Sequence, residues 1–151
     1  MRLYLDASAL IAILTNEASR QKAFDAIRAT DLFPLVSDFC RAECSATLAK
    51  LVRTNERSQD EVDLLYLVLD RWAQAVGEPT VVTATDVDNA TLFIRRRDLA
   101  LRAPDAIHIA SAHRLGATLL TLDRGMARAA AALGVPCLNP AEVEAPGEPK
   151  D

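Results

Sequence analysis

The sequence predicts an α/β fold: a three-layer sandwich in which a short, mainly parallel sheet is flanked by helices. Three observations predict it. Short apolar runs of strand length alternate with longer segments of helical periodicity along the chain, the pattern of βαβ units. Several of those runs are mainly apolar and end in an acid, as buried strands can. The 151 residues are 50% hydrophobic, 25% charged and only 5% aromatic, which suits one domain with a full core in which helices dominate.

The elements follow in order. RLYLD (2–6) reads as a buried strand ending in an acid. SALIAILTNEASRQKAFDAIRA (8–29) has helical spacing, broken near Thr15–Asn16 into two helices. PLVSD (34–38) reads as a second strand, with Ser37 or Asp38 capping the helix that contains FCRAECSATLAK (39–50). SQDEVDLLYLVLDRWAQAV (58–76) is helical, and Asp60, Glu61 and Asp63 sit where acids complement the helix dipole. TVVTAT (80–85) reads as a strand and DVDNATLFIRRR (86–97) as a helix. APDAIHIASAHRLG (103–116) opens with Pro and closes with Gly, the asymmetry of a helix. ATLLTLD (117–123) is a strand, RGMARAAAALG (124–134) a helix and VPCL (135–138) a last strand. One domain is expected over 1–140, followed by an acidic tail at 141–151 whose Pro and Gly content predicts disorder.

Several function classes recede on composition. The longest charge-free run near the N-terminus, ASALIAILTN (7–16), is too short to span a bilayer, so no membrane association is expected. Asp6 interrupts the apolar start and no small-residue cleavage site follows, so a cytoplasmic location is expected. Cys40, Cys44 and Cys137 make a poor disulfide framework. The two histidines stand far from them at 108 and 113, which favours core cysteines over a zinc site. A net charge of −4 argues against a simple nucleic-acid binder. Its distribution matters more, because LFIRRRDLALR (92–102) gathers Arg95, Arg96, Arg97 and Arg102. Such a run is usually a solvated helix end, and otherwise a phosphate-binding rim.

The acids carry the chemistry. In open parallel sheets, ligands bind outside the carboxyl ends of the strands. Asp6 and Asp123 close two predicted strands there, with hydroxyls two positions away at Ser8 and Thr121. Asp105 lies in the first turn of the helix after Pro104. Glu43 has Phe39, Cys40, Ala46 and Thr47 one turn away, so no cation of its own helix pairs with it. Each acid also has an ordinary reading. Asp105 suits its helix dipole, Asp6 a helix cap, Asp123 a turn, and Glu43 reaches solvent along its stem. Should the four converge, carboxylates within a few ångströms need a counter-charge. Oxygen ligands without His or Cys select a hard cation, Mg²⁺ or Mn²⁺, and with it phosphodiester hydrolysis. Glu43 is then expected to have a metal ion as its partner. His108, one turn beyond Asp105, is read as a packing residue, since metal-activated water needs no imidazole base.

LYLDASALIAIL, the Glu of FCRAE, RAPDAIHIASA and TLLTLD stand in the order and contexts typical of PIN-domain proteins, and the chain resembles the VapC-type toxins of toxin–antitoxin pairs over about residues 1–140. The resemblance implies that Asp6, Glu43, Asp105 and Asp123 form an acidic metal-binding quartet, with Ser8 and Thr121 as supporting hydroxyls. It implies Mg²⁺- or Mn²⁺-dependent endoribonuclease action. It also implies a homodimer and a cognate VapB-like antitoxin whose tail occupies the acidic groove. Some members carry a further acid after the last motif Asp. Here Arg124, Gly125 and Met126 follow instead, which leaves open whether one or two ions bind. In the expected mechanism Asp6, Asp105 and Asp123 hold the metal and Glu43 binds it or orients the attacking water. In-line attack leaves a 5′-phosphate and a 3′-hydroxyl. The arginines at 95, 96, 97 and 102 are then reread as steering RNA to the acidic pocket. Two other readings stay open: a DNA nuclease or other phosphohydrolase, and a non-catalytic module that binds a basic peptide in its groove.

Overall fold

A computed structural model describes residues 2–75 and 79–141. At its centre is β1 (Arg2–Leu5), flanked by β2 (Phe33–Leu35) and β3 (Thr118–Leu120), with β4 (Cys137–Leu138) outside β3. All pairings are parallel, with Tyr4 opposite Leu35 on one side and Leu119 on the other. The twofold alternation of a strand then divides β1 between two cores. Leu3 and Leu5 pack with Leu120 against residues of α1 (Ala7–Leu14), α2 (Arg20–Thr30), α3 (Asp38–Arg53) and α4 (Gln59–Gln74). Tyr4 and Leu119 pack on the opposite face against Ile109 and Ala112 of α6 (Ala103–Arg114) and Met126, Ala129 and Ala130 of α7 (Arg124–Ala132). Helices on both faces of a parallel sheet make the expected three layers. Each fully buried leucine contributes about 1.5–3 kcal/mol.

The helix ends have local causes. Asp6, Ser37, Ser58 and Asp123 each accept a backbone N–H three residues on, capping α1, α3, α4 and α7. The expected break near Thr15–Asn16 is present, where Asn16 adopts φ 56° and stops α1. Gly116, just beyond α6, sits at φ 60°, a left-handed conformation that glycine adopts without strain. Helix α6 is buried on two sides, with Ala106 and Ala110 against Ala90 of α5 (Ala84–Arg95). Cys40 and Cys44 lie in the core on the α3 side.

One strand expectation is corrected. The segment 80–85 adds no strand to the sheet; Thr80 forms an isolated bridge with Ser37, and α5 already begins at Ala84. The β-branched composition suggests a strand, but Thr83 and Asp86 form a reciprocal capping box that starts a helix instead. Asp86 is also fully buried, where it accepts from Ser111 Oγ and from the Arg114 guanidinium of α6. The expected helical end at Val76, and the tail from residue 142 onward, lie outside the described residues. Among the described residues no helix is long and apolar enough to cross a membrane.

Candidate active site

The carboxyl end of the sheet is organised by Asp6. Its Oδ1 accepts from the Ala9 N–H at 3.0 Å and from Ser8 Oγ at 2.7 Å, and its Oδ2 accepts from Thr121 Oγ1 at 2.5 Å. The cap reading of Asp6 is therefore borne out. Burial pushes its carboxyl up, against the hydrogen bonds from Thr121, Ala9 and Ser8, which favour the ionised form. Ser8 Oγ in turn accepts from the Leu122 N–H at 3.0 Å and lies 3.3 Å from Thr121 Oγ1.

Thr121 joins Asp6 to Asp123, because its hydroxyl oxygen also accepts from the Asp123 N–H at 3.0 Å. Asp123 is thereby set at the start of α7, with Oδ1 accepting from the Met126 N–H at 3.0 Å. A side chain at position 125 would press on this carboxylate: a Cβ there would stand 3.3 Å from Asp123 Oδ1. That close approach accounts for Gly125 in the first turn of α7.

Asp105 projects from the first turn of α6, and its Oδ2 lies 3.3 Å from Arg102 Nε. Burial raises its carboxyl, Arg102 opposes that, and the negative charge of Asp123 raises it further. The sensitivity of Asp105 to Asp123 ties α6 electrostatically to the sheet end.

Glu43 reaches the same region from α3, and its Oε1 is hydrogen-bonded to His108 Nε2. His108 is packed in the core, as read, and has polar partners as well. Its ring is buried, and its other nitrogen, Nδ1, lies 2.7 Å from the Tyr4 hydroxyl. The ring also meets Tyr4 edge-on and Phe39 at a tilt. A helical signal for this was available: residues 105 and 108 are one turn apart and share a face of α6. The partner itself was not, since Glu43 and His108 are 65 positions apart.

The structure brings Asp6, Ser8, Thr121 and Asp123 into one hydrogen-bonded group, with Asp105 and Glu43 at its margin. It does not pack the four carboxylates against one another. Among the described residues, no three His, Cys, Asp or Glu side chains are gathered closely enough to enclose an ion. Like charges in a low-dielectric site repel strongly, and here each acid is turned to its own donor. The arginine run is likewise divided. Arg102 faces Asp105, whereas Arg96 pairs with Asp98 on the exposed turn after α5. Arg95 and Arg97 are exposed beside it.

In its chemistry the donor set fits a divalent cation. The acids supply oxygen alone, and Asp6 and Asp105 are both held up by burial, so a positive charge would favour their ionised forms.

The fold is shared with known proteins. The chain is similar in structure to FitAcB from Neisseria gonorrhoeae, with a TM-score of 0.70 and 17% identity over 93% of this chain and 99% of that one. It is similar to FitAB bound to an IR36 DNA fragment, with a TM-score of 0.65 and 18% identity over 96% and 99% of the two chains. It is similar also to PAE2754 from Pyrobaculum aerophilum, with a TM-score of 0.59 and 18% identity over 85% and 86%. No curated protein sequence matches the chain. The PIN domain model matches residues 3–132, nearly the whole of the described structure, and the chain belongs to the PIN domain family.

Proposed function

We propose that the protein is a metal-dependent endoribonuclease and the toxin of a toxin–antitoxin pair. The observation that carries this reading is the hydrogen-bonded bridge from Asp6 through Thr121 to Asp123. Two acids from separate stretches of chain are thus linked at the carboxyl end of a parallel sheet, where such folds bind ligands, and this supports the reading. Asp6, Asp105, Asp123 and Glu43 would hold Mg²⁺ or Mn²⁺. When bound, such an ion supplies Lewis acidity toward a phosphoryl oxygen and lowers the pKa of water.

The chain's own residues do the remaining work. Ser8 and Thr121 fix the Asp6 carboxylate, and the α7 cap fixes that of Asp123. Glu43 orients the attacking water. Arg102, exposed at the pocket edge, draws the scissile strand inward with the other arginines behind it. In-line attack by water leaves a 5′-phosphate and a 3′-hydroxyl, without use of the RNA 2′-hydroxyl. A cognate VapB-like antitoxin is the partner this reading calls for, with a homodimer as the expected assembly; that one neighbour is a FitAB complex supports the antitoxin.

A second reading, DNA hydrolysis, would use the same acids on a different phosphodiester. Cleavage of matched RNA and DNA oligonucleotides with Mg²⁺, Mn²⁺ or EDTA, beside Asp6→Asn, decides between them. RNA cutting that needs metal and Asp6 supports the proposal. Cutting of DNA alone, or cutting unchanged in Asp6→Asn, overturns it.

A further inference from the structure

A buried chain of hydroxyls runs behind Glu43. Ser37 Oγ caps α3 by accepting from the Cys40 N–H at 3.0 Å, and the Tyr4 hydroxyl lies 3.0 Å from it. The same Tyr4 hydroxyl lies 2.7 Å from His108 Nδ1, and His108 Nε2 meets Glu43. Ser37, Tyr4 and His108 are all essentially inaccessible, while the Glu43 side chain is 26% exposed. The chain therefore has one open end, and that end is a carboxylate at the acidic pocket.

The donors in this chain are constrained. An ionised carboxylate only accepts, so the nitrogen facing Glu43 must carry hydrogen. In a neutral ring Nδ1 is then the acceptor, and the phenol turns its proton to Nδ1 from Ser37 Oγ, the acceptor it has in this structure. In a protonated ring Nδ1–H donates to the phenol oxygen, which donates to Ser37. Both arrangements direct Nε2–H at Glu43. Burial keeps the Tyr4 phenol protonated, so it is available in either.

We infer that His108 is a positioning residue whose Nε2–H, held in its tautomer by Tyr4 and Ser37, fixes the Glu43 carboxylate at the mouth of the acidic pocket. A second-layer partner of this kind orients a long side chain that otherwise samples many rotamers. The inference rests on the nuclease reading for what Glu43 does, and on geometry alone for how it is held.

Isosteric amides separate positioning from packing. The amide nitrogen of Gln reaches the place of Nε2, and that of Asn the place of Nδ1. His108→Asn should lower kcat for RNA by about tenfold or more with KM nearly unchanged, because loss of alignment acts on the reacting geometry. His108→Gln should restore most of it, and Tyr4→Phe should fall between. Free Mn²⁺ measured by electron paramagnetic resonance should follow the same order in affinity. Equal kcat in the Asn and Gln variants, whether both low or both near wild type, overturns the inference. Nitrogen-15 NMR of the His108 ring reads the contact without activity. An N–H-type Nε2 signal that moves in Glu43→Gln supports it, and a signal indifferent to Glu43→Gln overturns it. Failure of the nuclease reading shows separately, as wild-type protein that neither binds Mn²⁺ nor cuts RNA.

Discussion

Thr121 donates to Asp6 at 2.5 Å while accepting from the backbone of Asp123 at 3.0 Å. One hydroxyl thereby sets the separation of two carboxylates that the chain places far apart. Thr121→Val keeps the shape and removes both bonds inside a fully buried site. It should cost about 1–3 kcal/mol of stability, and Thr121→Ser distinctly less. Urea denaturation of the two variants checks this; a Thr121→Val variant as stable as wild type, or less affected than Thr121→Ser, would show that the two bonds contribute little.

Asp6→Asn removes a charge that burial disfavours. The variant should unfold no earlier than wild type in EDTA, yet lose RNA cleavage by about a hundredfold or more. Mn²⁺ should raise the Tm of wild type, because a ligand bound only by the folded state stabilises it. It should leave the Tm of Asp6→Asn almost unmoved. Differential scanning calorimetry with and without Mn²⁺ measures both effects.

Arg102 and Arg96 offer a matched pair. Arg102 stands beside Asp105 with its side chain 76% exposed, whereas Arg96 is paired with Asp98 on the turn beyond α5. Arg102→Glu should weaken RNA binding and lower the salt slope by about one unit for each phosphate it no longer neutralises. Arg96→Glu should change both less. Fluorescence anisotropy across a salt series decides, and a larger effect from Arg96→Glu would move the RNA path toward the end of α5.

Asp86 sets a pH dependence remote from the acids at the sheet end. Burial acts to raise its carboxyl, but Arg114, the Thr83 N–H and Ser111 outweigh it and hold the group below the ordinary range. An acid depressed in the folded state contributes stability that is complete above its unfolded pKa and drains away as pH falls toward the folded one. Asp86→Asn should cost about 2–4 kcal/mol at neutral pH, by leaving Arg114 without its partner. The difference from wild type should narrow below about pH 4. Denaturation at a series of pH values tests it, and a gap constant with pH would assign Asp86 a packing role only.

The layers and most helix ends were legible in the sequence because their causes are local. A Ser or Asp before an apolar run, or a Pro at a helix start, acts within a few residues. Asp6 and Asp123 were legible as strand-end acids for the same reason. The segment 80–85 was misread because its β-branched residues look alike whether they join a sheet or lead into a cap. What decides is Asp86, whose burial depends on Arg114, 28 positions away. His108 was legible as a packed residue but its two polar partners were not, because they come from β1 and α3. The arginine run was legible as charge but not as direction. Its course depends on the turn between α5 and α6, where Ala100 adopts φ 50°.

The central position of β1 has a consequence for how the protein comes into being. Asp6 is synthesised well before the hydroxyl that orders it, which follows 115 positions later. Contacts of such sequence separation form late and slowly. A partly synthesised chain that has not reached Thr118–Leu120 has β1 open along one edge and its acids unassembled. If the finished protein attacks RNA, as proposed, the nascent chain is harmless to the message being read, and activity begins only when the sheet closes.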